Sequence, residues 1–347
     1  MQGKRKTIYD LAEELGVSIA AISRAFDPNS KLSREKRERI LATAKKYGYT
    51  PNRMASRLAM NEINIGVLNF SFMKVYYSEI LEGIKDAYER LKDYKVNCDV
   101  RVLQRGENTM EEAFAVLDEF LKKHYDGVII SGIYEDRAVE KINALADAGI
   151  RVVTLQYDMP QSQRIFSCLS NYPVIGEMAA QLCGMLLRNE SNRKTVMFTG
   201  NKTSPTHKML VESFYRSAKA NGVDIVATYD TRDDPDCARE AVQQAFEEHP
   251  DIAAIYASSA NSLPICQYLE SMPLGKDIAF VASDVFPDLH PYIESGYIDA
   301  TIYQEPYKMG YVALDRLYHV LADNAVTEDC FLSIPRVVMS SNLHDYK

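Results

Sequence analysis

The chain has 347 residues, of which 46% are hydrophobic and 25% charged, and it carries a formal net charge of −8. This length exceeds what one ordinary core needs, so we expect a small domain joined to a larger two-lobed domain. No run of 18 apolar residues occurs and the six cysteines form no CxxC pair, so we expect a cytoplasmic protein with reduced thiols, without a membrane span or secretory leader.

The first predicted structure is a pair of short helices within residues 7–26, TIYDLAEELGVSIAAISRAF. Apolar residues recur at helical spacing on both sides of Gly16, which can adopt the positive φ that ends a helix. Ser18 is placed to cap the second helix. The spacing of Ala12, Gly16 and Ile22 favours a close helix pair, because a small residue lets the helices approach and a branched residue fixes them. This pattern is typical of a DNA-binding helix-turn-helix, although other helical hairpins share it.

Charge is distributed unevenly along the chain. Residues 1–60 hold 13 Lys and Arg against 6 Asp and Glu, whereas residues 61–347 hold 27 against 42. A small basic segment on an acidic body is the electrostatic signature of a nucleic-acid-binding domain joined to a domain without that function. A solvated basic helix surface is the alternative, and it explains this segregation poorly.

A third helix and a short basic segment follow. Ser33 can cap this helix, Gly48 ends it, and Pro51 prevents its continuation. Residues 52–59 are too few to form a stable helix on their own. The predicted buried side of the third helix consists of Ile40, Leu41, Ala44 and Tyr47.

The run TIYDLAEELGVS…AISRAF…LSREKRERIL…KYGYTPNRMASRLA resembles the DNA-binding headpiece and hinge of the lactose/galactose-repressor (LacI/GalR) family, over about the first 60 residues. The resemblance implies that the second helix lies in the major groove and that the hinge folds into a minor-groove helix. The usual hinge reads Ala-Arg-x-Leu, whereas this chain has Ala-Ser-Arg-Leu at residues 55–58. Carried over residue by residue, the family pattern assigns base reading to Ile19, Ala20 and Arg24, phosphate contacts to Thr7, Tyr9, Ser18 and Ser23, and hinge contacts to Asn52, Arg53, Ala55, Arg57 and the minor-groove wedge Leu58.

From Ile63 onward, hydrophobic strands alternate with amphipathic helices in two series. Such alternation predicts parallel sheets covered on both faces, hence an α/β fold with two Rossmann-like lobes and a ligand between the carboxyl ends of their strands. The resemblance implies the same architecture, a periplasmic-binding-protein-like core. The expected boundaries are 1–50 for the helix-turn-helix domain, 51–62 for the hinge and linker, and 63–347 for the effector-binding and dimerisation domain, with lobe 1 at about 63–160 plus 290–325 and lobe 2 at about 161–289 plus 326–347.

Polar residues at strand ends are the candidate effector ligands. Asp158, Asp284 and Gln304 each follow a predicted strand. The resemblance places Asp284 and Gln304 where family members and periplasmic sugar-binding proteins bond sugar hydroxyls, a task that suits a carboxylate and an amide. A strand-end aspartate can also merely cap the next helix, and an aromatic side chain can simply pack. The remaining candidates are Phe72, Tyr77 and Tyr134, which follow first-lobe strands, and His207, which opens the helix after TVMFTG.

Catalytic and nucleotide-binding motifs such as GxGxxG, GxxxxGK[ST], HExxH and GxSxG do not occur. The acidic run 230–236 fits a solvated loop better than a metal site. We therefore expect no enzyme, cofactor or metal, but a transcriptional repressor whose partners are operator DNA, a sugar or sugar-derived effector, and a second copy of the chain. A sugar receptor without DNA regulation and an enzyme on the same core are the alternatives, because fold does not fix function. The sequence leaves open whether the effector releases or promotes DNA binding.

Overall fold

The computed structural model describes residues 7–26, 30, 32–49, 61–71, 74–104, 109–133, 135–273 and 275–346. Its contacts divide the chain into two compact units, Met1–Glu62 and Ile63–Lys347. In the described part of the chain, no helix is both long and apolar enough to cross a membrane. The predicted hinge contacts Asn52, Arg53, Ala55, Arg57 and Leu58 lie outside the described residues, as do the effector candidates Phe72 and Tyr134.

The described part of the N-terminal unit consists of α1 (Ile8–Leu15), α2 (Ile19–Phe26) and α3 (Arg34–Lys46). Gly16 ends α1 with a φ of +62°, and the Ser18 hydroxyl caps α2 by accepting a hydrogen bond from the Ala21 amide at 3.2 Å, as the sequence predicts. Thr7 caps α1, since its hydroxyl accepts from the Asp10 amide at 3.3 Å while the Asp10 carboxylate accepts from the Thr7 amide at 2.6 Å. This reciprocal pair satisfies two amide groups that a helix start leaves open.

The predicted buried side of α3 is only partly correct. Ile40 and Ala44 are buried in a small core formed with α1 and α2, but Leu41 and Tyr47 are partly exposed. Ser33 precedes α3 as expected, yet its hydroxyl makes no capping hydrogen bond. A short helix that packs through one narrow stripe leaves its neighbouring positions to solvent, which explains the two partly exposed residues.

The C-terminal unit contains two sheets with helices on both faces. Its strands are β1 (Ile63–Ser71), β2 (Val96–Gln104), β3 (Gly127–Ser131), β4 (Arg151–Leu155), β5 (Phe166–Leu169), β6 (Lys194–Thr199), β7 (Asp224–Asp230), β8 (Ala254–Ala257), β9 (Ala279–Ser283), β10 (Ala300–Tyr303), β11 (Cys330–Leu332) and β12 (Arg336–Val338). Its helices are α4 (Lys74–Leu91), α5 (Thr109–Lys122), α6 (Asp136–Asp147), α7 (Tyr172–Leu186), α8 (Pro205–Ala218), α9 (Pro235–Glu248), α10 (Ser262–Glu270), α11 (His290–Ser295) and α12 (Pro306–Asp323).

The strands pair in the order β11-β5-β4-β3-β1-β2 in the first sheet and β12-β10-β9-β8-β6-β7 in the second. All the described pairs are parallel except β10 with β12. Along β1, Ile65 and Val67 join one apolar cluster whereas Leu68 and Phe70 join another. This alternation is the period of two expected of a strand that is covered by helices on both faces.

The sheet pairing corrects the predicted lobe boundaries. β5 and β11 belong to the first sheet although the sequence places their residues in lobe 2, and β10 belongs to the second sheet although its residues were expected in lobe 1. The chain passes between the sheets at residues 170–171, 304–305 and 333–335. Strands of three or four residues are too short to show a clear hydrophobic period. The sequence therefore does not reveal which strand each of them pairs with.

Helices α4 and α12 cross so closely that their backbones touch. A Cβ built on Gly83 of α4 would overlap the Tyr307 carbonyl oxygen, and one built on Gly310 of α12 would overlap the Ile80 carbonyl oxygen. Neither overlap can be relieved by rotating a side chain, because the atom that is met belongs to the backbone. This contact fixes α12 against α4 and the first sheet.

We expect Gly83→Ala to lower the free energy of unfolding of the C-terminal unit by about 1–3 kcal/mol, the usual cost of overpacking. The change must overcome the ~1 kcal/mol by which Ala favours a helix interior over Gly. Urea unfolding followed by circular dichroism measures the difference, with Lys85→Ala at an exposed position of the same helix as the control. A Gly83→Ala protein as stable as the Lys85→Ala protein would show that the two helices can separate at no cost.

Candidate functional site

A cavity of about 190 Å³ lies between the two sheets at the carboxyl ends of their strands. Side chains within three residues of the ends of β4, β6, β7, β8, β9 and β10 contribute to it, which is the place where parallel α/β sheets bind ligands. Its lining consists of Tyr76, Tyr77, Gln156, Tyr157, Tyr172, Asn201, Ser204, Thr206, His207, Arg232, Asp233, Ser258, Ser259, Ala260, Asp284 and Gln304.

Asp284 and Gln304 form a buried polar pair of this lining. Asp284 is 1% exposed and adopts a left-handed backbone conformation with a φ of +61°. Its Oδ1 accepts from the Gln304 amide at 3.0 Å and its Oδ2 accepts from Gln304 Nε2 at 2.7 Å. The Thr301 hydroxyl donates to the Asp284 carbonyl at 2.6 Å and so fixes the backbone at this turn. The two side chains are therefore held in place before any ligand enters.

Burial raises the pKa of Asp284 to about 8, against the opposing effect of the Gln304 amide, which stabilises the carboxylate. The nearby Glu79 carboxylate acts in the same direction as burial. A carboxyl group has up to four lone-pair positions and Gln304 occupies two, so further acceptor positions are open to a ligand hydroxyl. The amide oxygen of Gln304 adds another acceptor.

His207 and Asp233 form a second polar pair, contributed by the second lobe. His207 Nε2 lies 3.3 Å from Asp233 Oδ1, and Asp233 Oδ2 accepts from the Asn201 amide at 3.1 Å. The Nδ1 atom of His207 is buried and has no hydrogen-bond partner among the residues that the structure describes. Arg232, which precedes Asp233 in the chain, also lines the cavity. Arg232 and Asp233 have positive φ angles of 52° and 54°.

Tyrosines from both lobes provide much of the cavity wall. Tyr76 and Tyr77 are buried at the start of α4, with ring centroids 5.8 Å apart in a T-shaped arrangement. The Tyr172 hydroxyl donates to the Gln156 carbonyl at 3.1 Å, and the Tyr157 hydroxyl lies 3.3 Å from Ser204 Oγ. Burial raises the pKa of Tyr77 and of Tyr172 well above the ordinary value, so both hydroxyls stay protonated at neutral pH. The wall combines flat apolar rings with hydroxyl groups.

The structure brings four of the predicted effector residues, Tyr77, His207, Asp284 and Gln304, to this cavity. Asp158 is not among the lining residues and instead lines a neighbouring pocket of about 210 Å³. Its carboxylate accepts hydrogen bonds from the buried Arg164 guanidinium, which also bonds Asp329 at 2.8 Å. Because β4 ends at Leu155, Gln156 takes the strand-end position that the sequence assigned to Asp158.

Sequence reasoning missed several lining residues, among them Gln156, Tyr172 and Asn201. It also assigned residues 230–236 to a solvated loop, whereas Arg232 and Asp233 line the cavity. The signal that could have found them is their position just after a strand, which they share with Asp284. Among the described residues, no cluster of three His, Cys, Asp or Glu side chains could hold a metal ion.

The exposed face of α2 is the candidate DNA-reading surface of the N-terminal unit. Ala21, Ile22 and Ala25 are buried, so the opposite face of the helix is open to solvent. Within the described residues the Arg24 guanidinium has no carboxylate partner. Thr7 and Ser18 are exposed but already serve as helix caps, and Tyr9 is 70% exposed. The open face of α2 presents Ile19, Ala20, Ser23 and Arg24.

Comparison with known proteins identifies two domains. Residues 7–52 match the model for bacterial regulatory proteins of the lacI family, and residues 65–325 match the periplasmic binding protein domain. Catabolite control protein A of Priestia megaterium is 27% identical over 258 residues, covering 73% of this chain and 74% of that protein. The HTH-type transcriptional regulator pepR1 of Lactobacillus delbrueckii subsp. lactis is 33% identical over 124 residues, or 35% of each chain.

Solved structures confirm the predicted fold class. A glucose-galactose binding protein from Geobacillus stearothermophilus superimposes with a TM-score of 0.71 at 22% identity, over 82% of this chain and 99% of that one. A putative LacI transcriptional regulator from Bacteroides fragilis gives a TM-score of 0.71 at 16% identity, over 83% and 100%. At these identities the likeness concerns the two-lobed fold.

The buried Asp284 should make the stability of the ligand-free protein depend on pH. Its folded pKa of about 8 lies above the ordinary value of 3.8, so the folded state keeps a proton that the unfolded state releases. The free energy of unfolding should therefore fall as pH rises between these two values. Urea unfolding at pH 5 and pH 8 should show a smaller fall for Asp284→Asn than for wild type, whereas Glu240→Gln on the exposed side of α9 should match wild type. Equal falls in all three proteins would contradict the burial of an ionisable group at residue 284.

Proposed function

This chain belongs to the lacI family of bacterial regulatory proteins, and we propose that it is a repressor whose operator affinity is controlled by a small uncharged sugar bound in the cavity between its lobes. The observation that carries the proposal is the buried Asp284–Gln304 pair at the carboxyl ends of β9 and β10. A fixed carboxylate accepts hydroxyl protons and a fixed amide both donates and accepts, so together they suit vicinal hydroxyl groups.

The size and lining of the cavity favour a single sugar ring. A volume of about 190 Å³ lies below the roughly 300–1,000 Å³ of pockets that hold drug-sized ligands, which favours a ligand as small as one sugar ring. Tyr76 and Tyr77 offer aromatic surface for the ring, and the hydroxyls of Tyr157 and Ser204 offer further polar contacts. The likeness of the core to the glucose-galactose binding protein of Geobacillus stearothermophilus supports the same ligand class.

The charges around the cavity favour an uncharged effector. Asp284 and Asp233 both line it, and Glu79 is close enough to Asp284 to raise its pKa further. The lining also contains the positively charged Arg232, but this residue is exposed to solvent. A phosphate or carboxylate on the ligand would meet the Asp233 carboxylate and would further disfavour ionisation of Asp284 in a partly desolvated space, which is electrostatically unfavourable.

DNA recognition would rest on α2. Its open face combines two small or apolar side chains with one arginine, the residue type that most often reads guanine in the major groove. One such helix offers few base contacts, so we propose a homodimer that reads two half-sites of a palindromic operator. The proposed wedge Leu58 lies outside the described residues, and its minor-groove role stays a prediction. Effector binding would act by shifting the arrangement of the lobes, with a coupling of about 1–3 kcal/mol.

Isothermal titration with D-glucose, D-galactose, D-arabinose and D-allose, with glucose 6-phosphate as a charged comparison, tests the proposed ligand class. We expect Asp284→Asn to bind the effective sugar at least about tenfold more weakly, because the substitution replaces one oxygen of a buried carboxyl group that faces the ligand with an amide nitrogen that can only donate. Asp158→Asn is the matched control, since its carboxylate is bound by Arg164 outside the cavity, and it should stay within about twofold of wild type. Equal losses in both variants would place the effector elsewhere.

Selection of operator sequences from random DNA, followed by binding titration, tests the reading face. Arg24→Ala should lower affinity for the selected operator by about 1–3 kcal/mol more than affinity for random DNA, as expected of a guanine contact. Lys45→Ala on the exposed side of α3 should lower both affinities equally or leave both unchanged. An equal loss on both DNAs for Arg24→Ala would make Arg24 a phosphate contact. Absence of any selected sequence for the wild-type protein would refute the proposed regulator.

A further inference from the structure

We propose that the hydrogen bond between Tyr303 and Glu79 is a latch between the two lobes that sets the effector affinity of the cavity without touching the effector. The inference rests on the proposed function for the identity of the site, but its structural part concerns the ligand-free protein alone. Tyr303 and Glu79 would be positioning residues, whose effect on the ligand passes through the arrangement of the lobes.

The bond joins elements that belong to different sheets. Tyr303 is the last residue of β10 in the second sheet, and Glu79 lies on α4, which packs on the first sheet. The Tyr303 hydroxyl donates to Glu79 Oε2 at 2.8 Å. The Tyr303 ring is supported from the second lobe by Tyr346, with centroids 5.2 Å apart in a T-shaped contact. The donor is thus held by one lobe and the acceptor by the other.

Both residues of the bond lie within one to three positions in the chain of a residue that lines the cavity. Gln304, which bonds Asp284, directly follows Tyr303, and Tyr76 lies one helical turn before Glu79 on α4. The latch therefore fixes the distance between the wall that carries the polar pair and the wall that carries the tyrosines. Burial raises the pKa of Tyr303, and the nearby Glu79 carboxylate raises it further, so the hydroxyl keeps its proton and remains the donor.

A second tyrosine–carboxylate bond to the same acceptor helix, α4, provides an internal control. The Tyr307 hydroxyl donates to Asp86 Oδ2 at 2.8 Å, the same length as the latch. Tyr307 lies on α12 and Asp86 on α4, and both helices pack together on the first sheet. The chemistry and the acceptor helix are the same, but this bond stays within one lobe. Comparing variants of the two bonds therefore separates the effect of linking the two lobes from the effect of losing a tyrosine–carboxylate hydrogen bond.

Breaking the latch should lower effector affinity, because a smaller fraction of the molecules would then hold the lobes in the arrangement that forms the cavity. If the cavity forms only when the lobes have this arrangement, the apparent dissociation constant rises as the fraction with this arrangement falls. A half-buried hydrogen bond to a charged group implies a loss of about three- to tenfold. Glu79→Gln keeps an oxygen that accepts from Tyr303, so it should restore most of the affinity that Glu79→Ala loses.

The test uses full-length protein with the changes Tyr303→Phe, Glu79→Ala, their combination, Glu79→Gln, Tyr307→Phe and Asp86→Ala. Hydrogen exchange of the ligand-free protein reports on the crossovers through the amides of Tyr172, Ser333 and Ile334, which bond the Ser170 carbonyl, the Leu169 carbonyl and the Glu305 carboxylate. We expect about three- to tenfold faster exchange at all three amides in Tyr303→Phe, Glu79→Ala and the double variant. Glu79→Gln, Tyr307→Phe and Asp86→Ala should match wild type.

Titration of the same proteins with the four neutral sugars should give equal affinity losses for Tyr303→Phe, Glu79→Ala and the double variant, because each breaks the same bond. Faster exchange confined to the neighbourhood of the substitution, or equal effects of Tyr303→Phe and Tyr307→Phe, would overturn the latch. If none of these sugars binds the wild-type protein, the proposed ligand class fails, and the exchange result alone then decides for or against the latch.

Discussion

The burial of the Asp284 carboxylate is the constraint on which the cavity depends. A buried carboxylate is costly unless donors face it, and here both oxygens accept hydrogen bonds from Gln304. Gln304 is also the residue at which the chain leaves the second sheet toward α12. The carboxylate thereby fixes where the crossover begins. The left-handed backbone of Asp284 and of the following crossover residue Glu305, with φ angles of 61° and 59°, is the conformational cost of bringing these strand ends together.

Glu305 links the crossover at 304–305 to a neighbouring crossover. Its buried carboxylate accepts from Arg336 at 2.8 Å and from the Ile334 amide at 3.2 Å, so the crossovers at 304–305 and 333–335 are tied to each other. On the other side, the backbone contact at Gly83 and Gly310 fixes α12 against α4. The tyrosines at the start of α4 are therefore placed relative to Asp284 by a continuous set of backbone and ion-pair contacts, which explains how two lobes form one cavity.

Local signals in the sequence were sufficient for the parts of the molecule that depend on neighbouring residues. Gly16 and Ser18 lie at helix ends because a left-handed φ and a capping hydroxyl are local requirements. The apolar runs predicted the long strands, and the family resemblance pointed to Asp284 and Gln304. The short strands β5 and β11 were missed, because their place is decided by partners distant in the chain. Gln156 and Arg232 were missed although each lies just after a strand, because neither residue type by itself separates a cavity wall from a surface loop.

The division of the chain into two compact units limits how an effector can influence DNA binding. The cavity residues belong to the unit Ile63–Lys347, whereas the proposed reading face of α2 belongs to the unit Met1–Glu62. A ligand shifts an equilibrium only by its difference in affinity for the two states, so a sugar must bind one arrangement of the lobes better than another. The contacts that tie the lobes, such as Glu305 with Arg336, contribute to the energy difference between those arrangements. Response to the effector can therefore be tuned at residues that touch neither the effector nor DNA.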